Sequence, residues 1–418
     1  MKILKTTELP QDFFKYAEFS GINSVSEIIL DVKKNGDKSV VEYSKKFGDG
    51  NLDKLLLTND EIEEAIRQVS PDIINSLNTA ITNVRRFAEA QFNILQDLET
   101  NFDGIKLGHK VIPLEIIGAY VPGGNYPLPS SAIMSVVPAK VAGVKEVIVC
   151  SPKIQPVTIA ACHLAGADRI FKVGGVQAIA AMAYGTESIP KVDKIVGPGN
   201  KFVTSAKKEI YGVCGIDFLA GPSEVMIIAD DTANPAFIAA DLLAQAEHDV
   251  EARAYLITTS SKLAEEVIEK VKEFLADLKT SDIAKKSIEK SFIILVDSID
   301  EAVKIANKKA PEHLEICFGN VNEYLDKFRN YGSLFIGNYS AEVFGDYCSG
   351  TNHVLPTNGV ARYTGGLSVF DFVKIQTYQE ISKEAAQQKL CSVASKIAEI
   401  EGLAAHKLSS DLRTQVYE

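Results

Sequence analysis

The sequence lacks a closely spaced pair of cysteines, an excess of basic side chains and any uncharged apolar run long enough to cross a bilayer. Each absence removes a class of protein. The six cysteines, at 150, 162, 214, 317, 348 and 391, are too scattered for a zinc knuckle or a disulfide framework and read as reduced thiols in a cytoplasm. With 44 basic residues against 55 acidic ones, a formal charge of -11 and a pI near 5.2, the chain has no electrostatic footprint for nucleic acid or an anionic membrane. The opening MKILKTTELPQDFF has no apolar stretch behind its basic side chains, so neither export nor membrane insertion is expected. A small molecule remains as the partner.

At 418 residues the chain exceeds what one compact core holds, and more than one domain is expected. Residues 1–105 read as a largely helical arm, part of it packing on the second α/β unit. Thr58 and Glu61 fit a capping box, and Ile73, Ile74, Leu77, Ile81, Val84 and Ala88 recur at helical spacing after Ser70-Pro71. The arm gathers no chemical groups. Over 106–224 short apolar runs (IIGAYVP, EVIVC, RIFKV, KIV) alternate with helices, and over 225–370 VMIIAD, AYLITT, FIILV, HLEICF and SLFIG repeat the pattern. This alternation predicts an α/β fold of two Rossmann-like parallel-sheet units flanking a cleft, with ligands beyond the strands' carboxyl ends. Residues 371–418 read as a helical tail too small for a core of its own.

Chemistry concentrates in a few stretches. In DLLAQAEHD (241–249) the pair Gln245 and His248, three apart, projects from one face of a helix opened by Asn234-Pro235. Such a pair is either solvent-facing or a mixed oxygen and nitrogen site for a divalent ion. AYVPGGN, VGGVQA and GPGN place glycines after strands, where backbone could approach a phosphate or flat ring, although no GxGxxG dinucleotide fingerprint is present. In KKAPEHL, Pro311 halts a helix and sets Glu312 and His313 at the start of a strand, on opposite faces, as separate proton-transfer groups or a solvated edge pair. FGDYCSGTNHVLPT (344–357) offers Asp346 as a metal carboxylate. Cys348 lacks the basic neighbour that makes a thiolate, and His353, His109 and His163 read as structural. Glu401 and His406 sit on the tail, either on a surface helix or on an arm delivering them elsewhere.

Together and in order, AYVPGGN, VGGVQAIAAMAYGTESIPKVDKIVGPGNKFV, AGPSEV, DLLAQAEHD, APEHLEI, GDYCSGTNHVLPT and EGLAAHK resemble the motifs of the histidinol dehydrogenase family across essentially the whole chain. The resemblance implies a zinc-dependent, NAD-linked oxidation of L-histidinol through the aldehyde to L-histidine. It implies Gln245, His248, Asp346 and His406 as metal ligands, and Glu312 and His313 as the acid–base pair. Ser223 and Glu401 would contact substrate together with Gln245, His248, His313, Asp346 and His406. Tyr120, Gln177 and Asn200 would contact NAD. It further implies a homodimer whose tail supplies Glu401 and His406 to the partner's site. Two other readings share these motifs: a related zinc and NAD dehydrogenase of another small amino alcohol or polyol, and a nucleotide-binding relative that has lost catalysis.

Overall fold

A computed structural model describes residues 1–16, 22–49, 54–123 and 126–414. Its elements in chain order begin with β1 (Lys2–Lys5), α1 (Asn23–Asn35), α2 (Asp37–Phe47), α3 (Asn59–Arg67), α4 (Pro71–Phe92), β2 (Leu98–Phe102) and β3 (Ile105–Pro113). The first alternation is β4 (Ile116–Tyr120), α5 (Pro129–Val141), β5 (Glu146–Cys150), α6 (Pro156–Ala165), β6 (Arg169–Phe171), α7 (Gly175–Tyr184), β7 (Lys194–Val196), α8 (Lys201–Ile210) and β8 (Gly215–Ile216). The second is β9 (Glu224–Ala229), α9 (Pro235–Ala246), β10 (Arg253–Thr258), α10 (Ser261–Asp277), α11 (Ser281–Lys290), β11 (Phe292–Leu295), α12 (Ile299–Lys309), β12 (His313–Cys317), β13 (Ser333–Ile336) and α13 (Glu342–Tyr347). β14 (Val373–Ile381), α14 (Lys383–Ala385), α15 (Cys391–Ile400) and α16 (Ala404–Leu412) close the chain.

The described chain forms two compact units. Residues 1–91 with 114–372 make the larger one and residues 92–113 with 373–418 the smaller. The larger unit holds both parallel sheets, ordered β6-β5-β4-β7-β8 and β1-β11-β10-β9-β12-β13. In each, the winding direction reverses once, between β4 and β7 and between β9 and β12, which are the switch points of doubly wound sheets.

Both sheets are covered on two faces, so their strands are apolar throughout rather than alternating. In β9, Val225 and Ile227 pack into one buried cluster and Met226 and Ile228 into another on the opposite face. α9 buries Ile238, Leu242 and Leu243 against the first of these clusters. Each such side chain contributes about 1.5–3 kcal/mol by leaving water.

The N-terminal arm is less uniform than its helical pattern predicts. β1 is a strand that pairs in parallel with β11 at the edge of the second sheet. The helical pattern over Ser24–Phe47 breaks at Gly36, whose φ of 57° ends α1 and opens α2. Val25, Ile29 and Val32 of α1 join the core of the first sheet. The predicted capping box is present, the Thr58 side chain accepting from the Glu61 N–H while Glu61 accepts from the Thr58 N–H.

The tail also departs from its helical reading. β14 pairs antiparallel with β3, which also pairs with β2, and this three-stranded sheet with α15 and α16 forms the smaller unit.

Candidate active site

β9 and β12 lie side by side in parallel register, with His313 opposite Val225. Their first residues therefore emerge together at the amino ends of the central strands of the second sheet, not at the carboxyl ends that the sheet pattern predicts. The Glu224 N–H donates to Oε2 of Glu312 at 2.9 Å, and the Ser223 side chain also hydrogen-bonds that carboxyl. Nδ1 of His313 faces oxygens on every side: the Glu224 carbonyl at 3.3 Å, Gln245 Oε1 at 3.1 Å, Glu342 Oε1 at 3.6 Å and Glu312 Oε2 at 3.7 Å. Acceptors all round assign the ring proton to Nδ1 and leave the lone pair on Nε2. That Nε2 is buried without a hydrogen-bond partner and lies 3.7 Å from Asp346 Oδ1.

One expectation about this pair needs correcting. Glu312 and His313 are not held on opposite faces: Ala310 takes a left-handed conformation (φ 53°), Glu312 precedes the strand, and its carboxyl comes within 3.7 Å of the neighbouring imidazole. His313 does not titrate near neutrality. Burial, reinforced by the nearby His248, lowers its pKa to about 3, so the ring is neutral at pH 7.

The acids around it shift the other way. Burial raises Glu312 and Glu342 well above the usual carboxylate range and Asp346 to about 6. Deeper still, Glu315 accepts the Glu342 N–H at 2.9 Å, and its own carboxyl is raised by burial and by Asp241 beside it. Among the described residues, no lysine or arginine pairs with Glu312, Glu342 or Asp346 within ion-pair distance.

A divalent cation is the charge this arrangement lacks, and the residues fit one. Ligand atoms of His248, Glu342 and Asp346 all lie within 4.8 Å of one another. His313 Nε2 and Glu342 Oε2, both with a lone pair, are buried with no hydrogen-bond partner. Mixed nitrogen and oxygen donors of this kind suit zinc and similar ions. Gln245 lies in the last turn of α9, whereas His248 stands just past it, because the helix ends at Ala246 with Glu247 as its cap. Glu342 is absent from the predicted ligand set. Its spacing of four from Asp346, one helical turn on α13, was the available signal.

Tyr120 ends β4 of the first sheet, Gln177 lies in α7 and Asn200 stands just before α8, around glycine turns that do follow the carboxyl ends of β4 and β7. The Tyr120 hydroxyl accepts the Gly175 N–H at 3.1 Å, and burial raises its pKa to about 12. Asn200 caps α8, its Oδ1 accepting from Phe202 and Val203 N–H at 3.0 and 3.2 Å. Gln177 is buried with Oε1 unpartnered, an acceptor aimed at no described donor.

The glycines nearby are needed for the protein's own packing. A Cβ on Gly123 or Gly174 would strike Pro152, and one on Gly197, at φ 108°, would strike the Tyr120 carbonyl. Of the AYVPGGN turn, residues 124 and 125 lie outside the described residues. Glu401, the cap of α15, and His406, in α16, are exposed on the smaller unit. Two histidines read as structural do bond backbone: His353 Nδ1 lies 2.8 Å from the Asp346 carbonyl and His109 Nε2 lies 3.0 Å from the Gln96 carbonyl, while every cysteine except Cys348 is buried.

A doubly wound α/β protein that gathers a buried imidazole, a buried raised carboxyl and a donor set for a cation at the amino ends of two central strands has the construction of an acid–base enzyme. A family model described as histidinol dehydrogenase matches residues 16–414, and the chain belongs to that family. Histidinol dehydrogenase of Methanosarcina mazei is 46% identical over 389 residues, spanning 92% of this chain and 90% of the relative. That of Clostridium acetobutylicum is 48% identical over 398 residues, spanning 94% and 92%. The crystal structure of histidinol dehydrogenase from Elizabethkingia anophelis matches with a TM-score of 0.93 at 37% identity, covering 99% of this chain and 98% of that one.

Proposed function

We propose that the protein oxidises L-histidinol through L-histidinaldehyde to L-histidine, the last step of histidine biosynthesis, with zinc and NAD, as a cytoplasmic homodimer. The observation that carries this reading is the meeting of the buried Glu312, His313, Gln245 and Asp346 with the exposed His248 in one cluster of a chain from this family. Gln245, His248 and Asp346, with Glu342 beside them, would hold zinc together with His406 supplied by the other subunit of the homodimer. Ser223 and Glu401 contact substrate, and Tyr120, Gln177 and Asn200 contact NAD. When bound, zinc would supply a positive centre for the substrate's imidazole and amine, and one NAD for each of the two oxidations would be the hydride acceptor.

The protein's own groups move the protons. His313, neutral and with its lone pair on Nε2, takes the alcohol proton in the first oxidation and the proton of the hydrated aldehyde in the second. Glu312 draws a proton from the water that hydrates the aldehyde; the Glu224 N–H and the Ser223 side chain favour the carboxylate form against burial. No thiol takes part. The buried Cys150, Cys162, Cys214 and Cys317 are held as thiols by burial.

NADH formation with histidinol and with alcohols lacking an imidazole, before and after chelation, tests the proposal. Turnover of histidinol that disappears with the metal and returns with zinc is expected. Preference for a non-imidazole alcohol, or full activity of metal-free protein, would overturn it.

A further inference from the structure

Lys309 is the last residue of α12, and three residues beyond it stands the Glu312–His313 pair. Its ammonium is buried, pairing with Glu224 Oε2 at 3.0 Å and lying 5.5 and 5.9 Å from the ring centres of Phe13 and Tyr255. Glu224, the first residue of β9, is 4% exposed, and its other carboxyl oxygen accepts the Asn358 N–H at 3.2 Å. The side chain is thus fastened from two directions. The backbone of the same residue holds both catalytic groups, its N–H donating to Glu312 and its carbonyl facing Nδ1 of His313.

A buried ion pair is a poor source of stability, because desolvating two charges offsets most of their attraction and apolar replacements often serve as well. Its position here points to geometry instead. We propose that the Lys309–Glu224 ion pair is a positioning device that locks the first residue of β9, so that its N–H and carbonyl hold Glu312 and His313 in working orientation. The inference rests on the reading of those two residues as the acid–base pair. Because the backbone of one residue serves both groups, loosening it impairs both oxidations, unlike a change to Glu312 alone.

The test compares the full-length, zinc-loaded protein with Lys309→Met, Lys309→Arg and the double variant Glu224→Gln/Lys309→Met. The double variant removes both charges and so avoids stranding a buried carboxylate. Steady-state kcat and KM are measured separately with histidinol and with histidinaldehyde, alongside zinc content and Tm. The expected result is a folded double variant with parental zinc content, KM within about twofold and kcat lowered about 10- to 100-fold in both oxidations, the range that a small misplacement of catalytic groups produces. Lys309→Arg, which keeps the pair, should recover most of the loss. A double variant with parental kcat, or one whose kcat, KM and zinc content fall together, overturns the proposal. Failure of the acid–base reading would show separately, in a parent protein that does not oxidise histidinol before any substitution is made.

Discussion

Nε2 of His313 and Oδ1 of Asp346 face each other across 3.7 Å, too far for a hydrogen bond, while the Nδ1 side of the ring is enclosed by oxygens. The ring therefore has one free basic atom, and it points toward the cation cluster, where a bound alcohol would lie.

Replacement of His313 by Ala should lower kcat for histidinol and for histidinaldehyde alike, by about 10²–10⁴-fold, the usual contribution of a positioned general base. Glu312→Gln should act unevenly, slowing the aldehyde oxidation more than the alcohol oxidation, because only the second consumes water. Separate stopped-flow measurement of the two half-reactions distinguishes them, and equal losses for Glu312→Gln would remove its role in activating water.

Glu342 brings a buried carboxylate to the His248 and Asp346 cluster although it lies outside the predicted ligand set. Glu342→Gln should weaken zinc binding about 10- to 100-fold, the range seen when a group supporting a metal site is altered. Competition against a chromophoric chelator measures this directly. Unchanged affinity would assign Glu342 to His313 alone, whose Nδ1 lies 3.6 Å away.

The metal-free protein should be more stable in mild acid than at pH 8. Burial raises Glu312, Glu315 and Glu342 well above the usual range and Asp241 and Asp346 to about 6. A carboxyl raised in the folded state contributes stability that is complete below its unfolded pKa, about 4, and is lost as pH rises through the folded value. His313, lowered to about 3, and His353, also lowered, oppose this, since their contribution exists above about 6.5 and fades as pH falls. The acids outnumber the imidazoles, each contributing up to about 1.4 kcal/mol per pH unit. Calorimetry of chelator-treated protein between pH 8 and 5 should show Tm rising toward pH 5, and zinc should flatten or reverse the trend. A Tm that falls steadily over the same range would contradict the burial of these carboxyls.

Much of this arrangement was readable in the sequence because fully buried parallel strands are uninterrupted apolar runs, as in EVMIIA and EVIVC, and the helices between them carry ordinary caps. β1 escaped notice because KILK is an exposed edge strand with little to bury. β14 escaped because VKIQTYQEI, despite its alternation, is followed at once by helical sequence. The Glu312–His313 geometry could not be inferred from strand alternation, since it depends on the left-handed Ala310 and on Glu312 lying one residue ahead of the strand. Glu315, an acid inside the apolar strand HLEIC, was a visible sign of a buried polar network, but its partner Glu342 comes from a separate element, and one chain cannot reveal that pairing.

The glycine after β7 tests whether these turns serve packing or ligand approach. Gly197 has a φ of 108°, and an added Cβ would strike the Tyr120 carbonyl. Gly197→Ala should therefore destabilise the protein without NAD, by about 1–3 kcal/mol, as a lower Tm in the cofactor-free state. A Tm equal to that of the parent, with only NAD affinity reduced, would show that the glycine serves ligand approach.

Glu401 and His406 lie on the smaller unit, formed by residues 92–113 and 373–418, and both are exposed. In the proposed homodimer they complete the partner's site, so each site takes His248 from one chain and His406 from the other. His248→Ala and His406→Ala proteins should each be inactive. When mixed and allowed to exchange subunits, half the dimers are hybrids, and each hybrid holds one intact site and one lacking both histidines. Recovered activity should approach about a quarter of the parent's. Exchange verified by mass-tagged subunits that restores no activity would show that His406 serves its own chain and would end the shared-site model.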